Sequence, residues 1–226
     1  MLSVYTIPEW FFNYAIFLEI LFAIITAIVG FYSIKVYKLT NQRQTKLFGI
    51  GFLFISFSYF IRAFLIFILL TMASTRLISI IDFTSWLNLT AYAHMIFFLI
   101  GLVTLVYTTS NSENSMLYSL ILAISILPLA VSQDRLPLFH IIAAVLLIYM
   151  TGNYLMNYIE KTNRKNLVVL LAFCFLLLVQ IDLIFSLKSG SYYVLGTILT
   201  LVAYLLILAK LIRVLQLQND QKKGKT

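Results

Sequence analysis

Residues 10–35 read WFFNYAIFLEILFAIITAIVGFYSIK, and between Trp10 and Lys35 the only charge is Glu19. A helix rising ~1.5 Å per residue needs about 20 apolar residues to cross ~30 Å of hydrocarbon, so this stretch is long enough to span a bilayer. At ~100° per residue, Ala15, Glu19, Ala23, Thr26, Gly30 and Ser33 fall on one narrow stripe. Leu, Ile and Phe fill the rest of the cylinder. In a membrane helix the small and polar stripe packs on neighbouring helices and the large apolar residues face lipid.

The whole chain follows this first segment. Of its 226 residues 62% are hydrophobic and 11% charged, against roughly 45–50% and 25% in soluble proteins. Seven apolar stretches predict seven transmembrane helices, at about 10–36, 47–72, 84–109, 115–132, 136–159, 166–187 and 191–216. The fourth is the weakest, being short and carrying Pro128. Pro128 and Pro137 bracket Gln133-Asp134-Arg135, which predicts a tight hairpin between helices four and five. The expected fold class is an all-α integral membrane protein, a multi-pass bundle in the cell membrane. Residues 1–216 form its membrane domain and 217–226 a short basic cytoplasmic tail.

Orientation follows from the basic residues, which concentrate on the cytoplasmic side of membrane proteins. Twelve of the sixteen lysines and arginines fall on one side if the N-terminus is outside: Lys35, Lys38, Arg43, Lys46, Lys161, Arg164, Lys165, Lys210, Arg213, Lys222, Lys223 and Lys225. Arg76, Arg135 and Lys188 fall on the other side, and Arg62 lies within the membrane. The net charge of +8 is therefore an orientation signal rather than a nucleic-acid footprint. Trp10, Trp86, Tyr192 and Tyr193 occupy the outer helix ends, where an interfacial aromatic belt belongs. Partners are accordingly the lipid bilayer, a small ligand, and a membrane or cytosolic protein. No nucleic acid is expected.

Helices one to three and five to seven share an orientation, which raises a 3+1+3 repeat with the fourth helix as an inverting linker. The inner loops Tyr37–Leu47 and Ile159–Leu167 share Thr-Asn and basic residues, and aligning Leu47 with Leu167 sets Arg62 opposite Asp182. In size, orientation and helix count the chain resembles sugar transporters of the SWEET and PQ-loop type. It lacks their Pro-Gln motif and a mid-helix proline in helices one and five, so the resemblance is one of architecture and assigns no family. Microbial rhodopsins hold retinal on a lysine in the middle of helix seven. That helix here offers only Lys210, near its cytoplasmic end.

An ionisable group inside a spanning helix costs a few kcal/mol on insertion scales, so its place is informative. Counted from the outer helix ends, Glu19 lies ~13 Å deep, Arg62 and His94 ~15 Å, Asp182 ~8 Å and His140 ~6 Å. All five fall in the outer half. Glu19, Arg62 and His94 sit on small-residue stripes and are expected to point inward. Arg62 is expected to pair with Glu19 or Asp182, the carboxylates deep enough to meet it. Two readings stay open. The pair pins helices in register, or the cluster is an outward-facing pocket for a small ligand or a relayed proton.

Two carboxylates around one guanidinium leave a formal −1, which with a nearby histidine suits a cation or a coupled proton. No cofactor or metal site is expected. His94 and His140 differ in depth by about 9 Å, unlike a bis-histidine haem pair. Cys174, the single cysteine, lies in an apolar run. No catalytic motif is present, so an enzyme is not expected. The function expected first is a receptor-like or accessory protein that binds a ligand outside and acts through a partner. The alternative is a small secondary transporter, for which the inner half offers little polar lining beyond Thr26, Ser33, Asn153 and Asn157.

Overall fold

A computed structural model describes residues 7–74, 80–110, 114–161 and 167–223 of the chain. All regular structure among them is helical. After a short 3-10 turn at Glu9–Phe11 come α1 (Phe12–Thr40), α2 (Arg43–Ser74), α3 (Ile80–Thr109), α4 (Ser115–Val131), α5 (Arg135–Lys161), α6 (Leu167–Phe185) and α7 (Gly190–Lys223). The helices cover the seven expected segments and overrun several of them. α1 continues to Thr40, α2 begins at Arg43, and α7 runs on through the stretch expected as a separate tail. Lys, Arg, Gln and Leu are good helix formers, so nothing in those basic stretches stops the ladder.

Six helices are long and apolar enough to cross a membrane, while α4, with 17 residues, is shorter. Phe17, Phe31, Phe60, Phe67, Ile124 and Leu127 all stand exposed on the outside of the bundle. Large apolar side chains on the surface and an apolar interior suit a protein solvated by lipid. This is the composition and geometry of a multi-pass membrane protein. Arg76, the second basic loop at 162–166 and Lys225 lie outside the described residues, so the loop similarity proposed for the repeat has a structural counterpart only in its first copy. There, Asn41 closes α1 at φ 54°, with its N–H donating to the Tyr37 carbonyl at 2.7 Å. Asparagine is among the few residues that accept this left-handed backbone readily.

Consecutive helices alternate in direction. Gly30 on α1 meets Gly49 on α2, Gly51 on α2 meets Gly101 on α3, and Gly196 on α7 lies beside Asp182 on α6. α1 runs parallel to α7, with Phe11 beside Tyr193 and Phe22 beside Tyr204. α3 runs parallel to α5, since Arg135 lies over the Tyr92 ring and Phe139 meets Phe98. The helices close a ring in the order α1, α2, α3, α5, α6, α7, with α4 packed outside against α3 and α5. The expected hairpin is present: α4 ends at Val131 and α5 starts at Arg135. The Ser132 N–H donates to the Pro128 carbonyl at 3.0 Å.

Packing within the ring is uneven. α2 meets α1 and α3 over much of its length, whereas the two seams of the ring, α1 with α7 and α3 with α5, are narrower. The glycines explain the close contacts. A β-carbon at Gly49 would stand 2.8 Å from the Gly30 carbonyl oxygen, and one at Gly101 would stand 2.7 Å from that of Gly51. Real side chains do not fit at such distances, so backbone lies on backbone. Every residue of the predicted α1 stripe, from Ala15 to Ser33, is buried.

Candidate functional site

Most polar groups buried in the ring are satisfied by their own helix. The hydroxyls of Thr26, Thr104, Thr108, Thr197 and Thr200 each donate to the carbonyl four residues earlier. This is the usual arrangement for threonine inside an apolar helix, and it leaves little polarity to bridge helices. Among the exceptions, Ser56 donates to the Ala23 carbonyl, Thr104 meets the Tyr118 hydroxyl, and Ser33 and Thr151 keep unpartnered hydroxyls. The largest group lies on the axis, near the end of the ring where α1, α3, α5 and α7 begin.

There Arg62 on α2 directs Nε at Glu19 Oε1 on α1, 3.2 Å away. The pair is thus made with Glu19, the nearer of the two expected partners in depth. Side-chain exposure is 17% for Arg62 and 7% for Glu19. Arg62 also donates to the Tyr193 hydroxyl of α7, which ties the first three helices to the last three. Across the axis, His140 Nδ1 on α5 and Gln180 Oε1 on α6 lie 2.8 Å apart in a buried hydrogen bond. His94 on α3 packs beside the rings of Tyr59, Phe98 and Phe139. The hydroxyls of Tyr59 and Tyr204 share a hydrogen bond at 3.2 Å and bridge α2 to α7.

These residues surround a cavity of about 50 Å³ to which all six ring helices contribute side chains and α4 contributes none. That volume holds one or a few water-sized groups. Two buried polar atoms at its wall have no hydrogen-bond partner, Glu19 Oε2 and His94 Nδ1. A buried polar atom left unpaired costs about 1–3 kcal/mol, more for a charged group, so each marks a place where a solute or water belongs.

Four of the five residues singled out from sequence, Glu19, Arg62, His94 and His140, line this cavity. Asp182 is set apart from it. It is only partly buried, and its β-carbon lies against Gly196. Two positions from Gln180 is ~200° around a helix, so when Gln180 faces the axis Asp182 turns away. The formal charge of the lining is therefore zero, not the −1 expected with two carboxylates. Tyr193, expected in the interfacial belt, is also turned inward at 5% exposure, while Tyr192 beside it keeps 44%.

Gln180, Tyr59, Tyr204 and Thr197 are further lining residues that a search for ionisable groups passes over. Gln180 had a legible signal, being an amide within an α6 run otherwise rich in Leu, Val and Phe. Below the cavity the core is mostly apolar, although Ser33 Oγ on α1 and Thr151 Oγ1 on α5 are also buried there without a hydrogen-bond partner. Val29, Phe52, Leu102, Leu147, Met150 and Phe173 are fully or almost fully buried. Asn153 and Asn157 stand on α5 and donate to carbonyls of their own helix.

Fold and site together define a polytopic helical membrane protein with a polar cavity on the axis of a six-helix ring. No family model, no curated protein and no solved structure matches the chain.

Proposed function

We propose that the chain is a receptor-like or accessory membrane protein that takes a small polar ligand from outside the cell into the axial cavity. The observation that carries this reading is a polar cavity near the end of the ring where α1, α3, α5 and α7 begin. Its wall holds two unpartnered polar atoms, Glu19 Oε2 and His94 Nδ1, and the stretch beneath it is packed with apolar side chains. The distribution of basic residues supports an outward-facing mouth, since the basic ends of α1, α2 and α7 lie opposite it. Ligand binding would draw the two narrow seams together, because both sides of each seam line the cavity. A partner would read that movement from the protruding end of α7.

A second reading, a small secondary carrier, draws on the same seams. Carriers hold substrate between two helical halves that rock against each other, and α1–α3 and α5–α7 are such halves in outline. The mostly apolar inner half favours the first reading.

The test uses Thr197→Cys in a Cys174→Ala background in intact cells. An impermeant thiol reagent added outside should modify Thr197→Cys and Ser189→Cys and leave Gln42→Cys untouched. Modification of Gln42→Cys from outside, with Ser189→Cys protected, would reverse the orientation and remove the outward-facing site. Concentrative uptake of any solute that protects Thr197→Cys would favour the carrier.

A further inference from the structure

Resting on that reading, we infer that the cavity is built for a small primary ammonium ion, of the size of ammonium or methylammonium. The unsatisfied chemistry of the wall is that of an acceptor. Glu19 spends Oε1 on Arg62 and keeps Oε2 buried and unpartnered. His94 Nδ1 is unpartnered too, and the ring lies within reach of the Ser58 backbone. A neutral imidazole carries one N–H. With that proton on the Ser58 side, Nδ1 offers a lone pair to the cavity. Thr200 gives its hydroxyl proton to its own helix, which leaves oxygen lone pairs as well.

A ligand that fills this site must bring several donors and few acceptors, which an ammonium group does. The rest of the wall fits a cation. Phe22, Tyr59, Phe98 and Phe139 line the cavity, and aromatic rings attract ammonium groups through their negative faces. Arg62 is the opposing charge. It is held on the Oε1 side of the carboxylate and shared with Tyr193, so a cation on Oε2 meets the attraction at shorter range than the repulsion. A quaternary amine brings no N–H donor to these acceptors.

The experiment follows thiol modification of Thr197→Cys (Cys174→Ala background) in detergent, where both faces of the protein are open to reagent. Methylammonium chloride is compared with urea, sodium acetate and tetramethylammonium chloride at equal ionic strength. Methylammonium at ten times its dissociation constant should slow modification about tenfold, and the other three should not. Glu19→Gln, which keeps the shape and removes the charge, should raise the protecting concentration roughly 10- to 100-fold. His94→Leu, which leaves the ion pair intact, should raise it about fivefold and serves if Glu19→Gln does not fold. A cysteine that is modified but gains no protection from methylammonium overturns the ammonium assignment alone. Equal protection by urea or tetramethylammonium overturns it as well. A cysteine that no reagent modifies overturns both the assignment and the accessible cavity beneath it.

Discussion

The two halves of the ring, α1–α3 and α5–α7, do the same geometrical task with different materials. In the first, Gly30 lies on Gly49 and Gly51 on Gly101 with no room for a β-carbon at any of the four. The Ser56 hydroxyl donates across to the Ala23 carbonyl at 2.7 Å, and an ion pair joins α1 to α2. In the second half the glycines carry no such contact. A β-carbon at Gly152 would meet nothing within 4 Å, and one at Gly196 would stand at 3.5 Å, ordinary packing distance. Its helices are joined instead by side chains, such as the stacked Tyr154 and Phe173 rings and the neutral His140–Gln180 bond. Backbone-on-backbone packing has few alternative arrangements, whereas side-chain packing can be remade by rotamer changes. The first half is thus the fixed wall of the cavity and the second the wall able to adjust.

The largest expected effect tests the ion pair. Arg62→Leu strands Glu19 in an apolar setting and should cost roughly 3–5 kcal/mol. Thermal unfolding in detergent should show the loss, with much of it restored by adding Glu19→Gln and none by adding Asp182→Asn. Rescue by Asp182→Asn would move the pair across the seam and cancel the contrast between the halves.

Gly101→Leu comes next. Forcing a large side chain against the Gly51 carbonyl should cost about 1–3 kcal/mol or more, while Gly196→Ala should cost well under 1 kcal/mol by the same measurement. Similar losses at both sites would mean that the halves are equally tight.

The neutral pair should be worth less. A double-mutant cycle of His140→Leu and Gln180→Leu should give a coupling of about 0.6–1.7 kcal/mol, typical of hydrogen bonds between membrane helices. The smallest change belongs to Gly152→Ala, which has open space beside it. It should leave stability unchanged or raise it by up to about 1 kcal/mol through helix propensity.

Those predictions also mark what the sequence made legible. Segment length and hydropathy placed all seven helices, because apolar length is a property of the chain that needs no partner. Counting residues from the helix ends placed Glu19, Arg62 and His94 near a common level and His140 about 9 Å shallower, yet all four share one cavity. The α1 stripe was readable for the same reason, since six small or polar positions repeat along it. The angle around the helix was harder. Asp182 and Tyr193 had the right depth, yet one faces off the axis and the other faces into it. α6 carries too few polar positions to fix a phase, whereas Tyr193 lies three and seven residues before Gly196 and Thr200, a register that turns it inward. Close approach through glycine was equally hidden, because a glycine in contact and one in open space look alike in a single sequence.

The central claim is that the cavity has one open end and a dry floor. It is tested most directly by a cysteine walk down α7 in the Cys174→Ala background, at Tyr193, Thr197, Thr200, Ala203 and Ile207, with a small polar thiol reagent in detergent. The account predicts ready modification at Tyr193, Thr197 and Thr200, then a sharp fall at Ala203 and Ile207, which are buried with the core. Reactivity that continues undiminished to Ile207 would reveal a wet path through the inner half. It would contradict the closed floor on which the receptor-like reading rests.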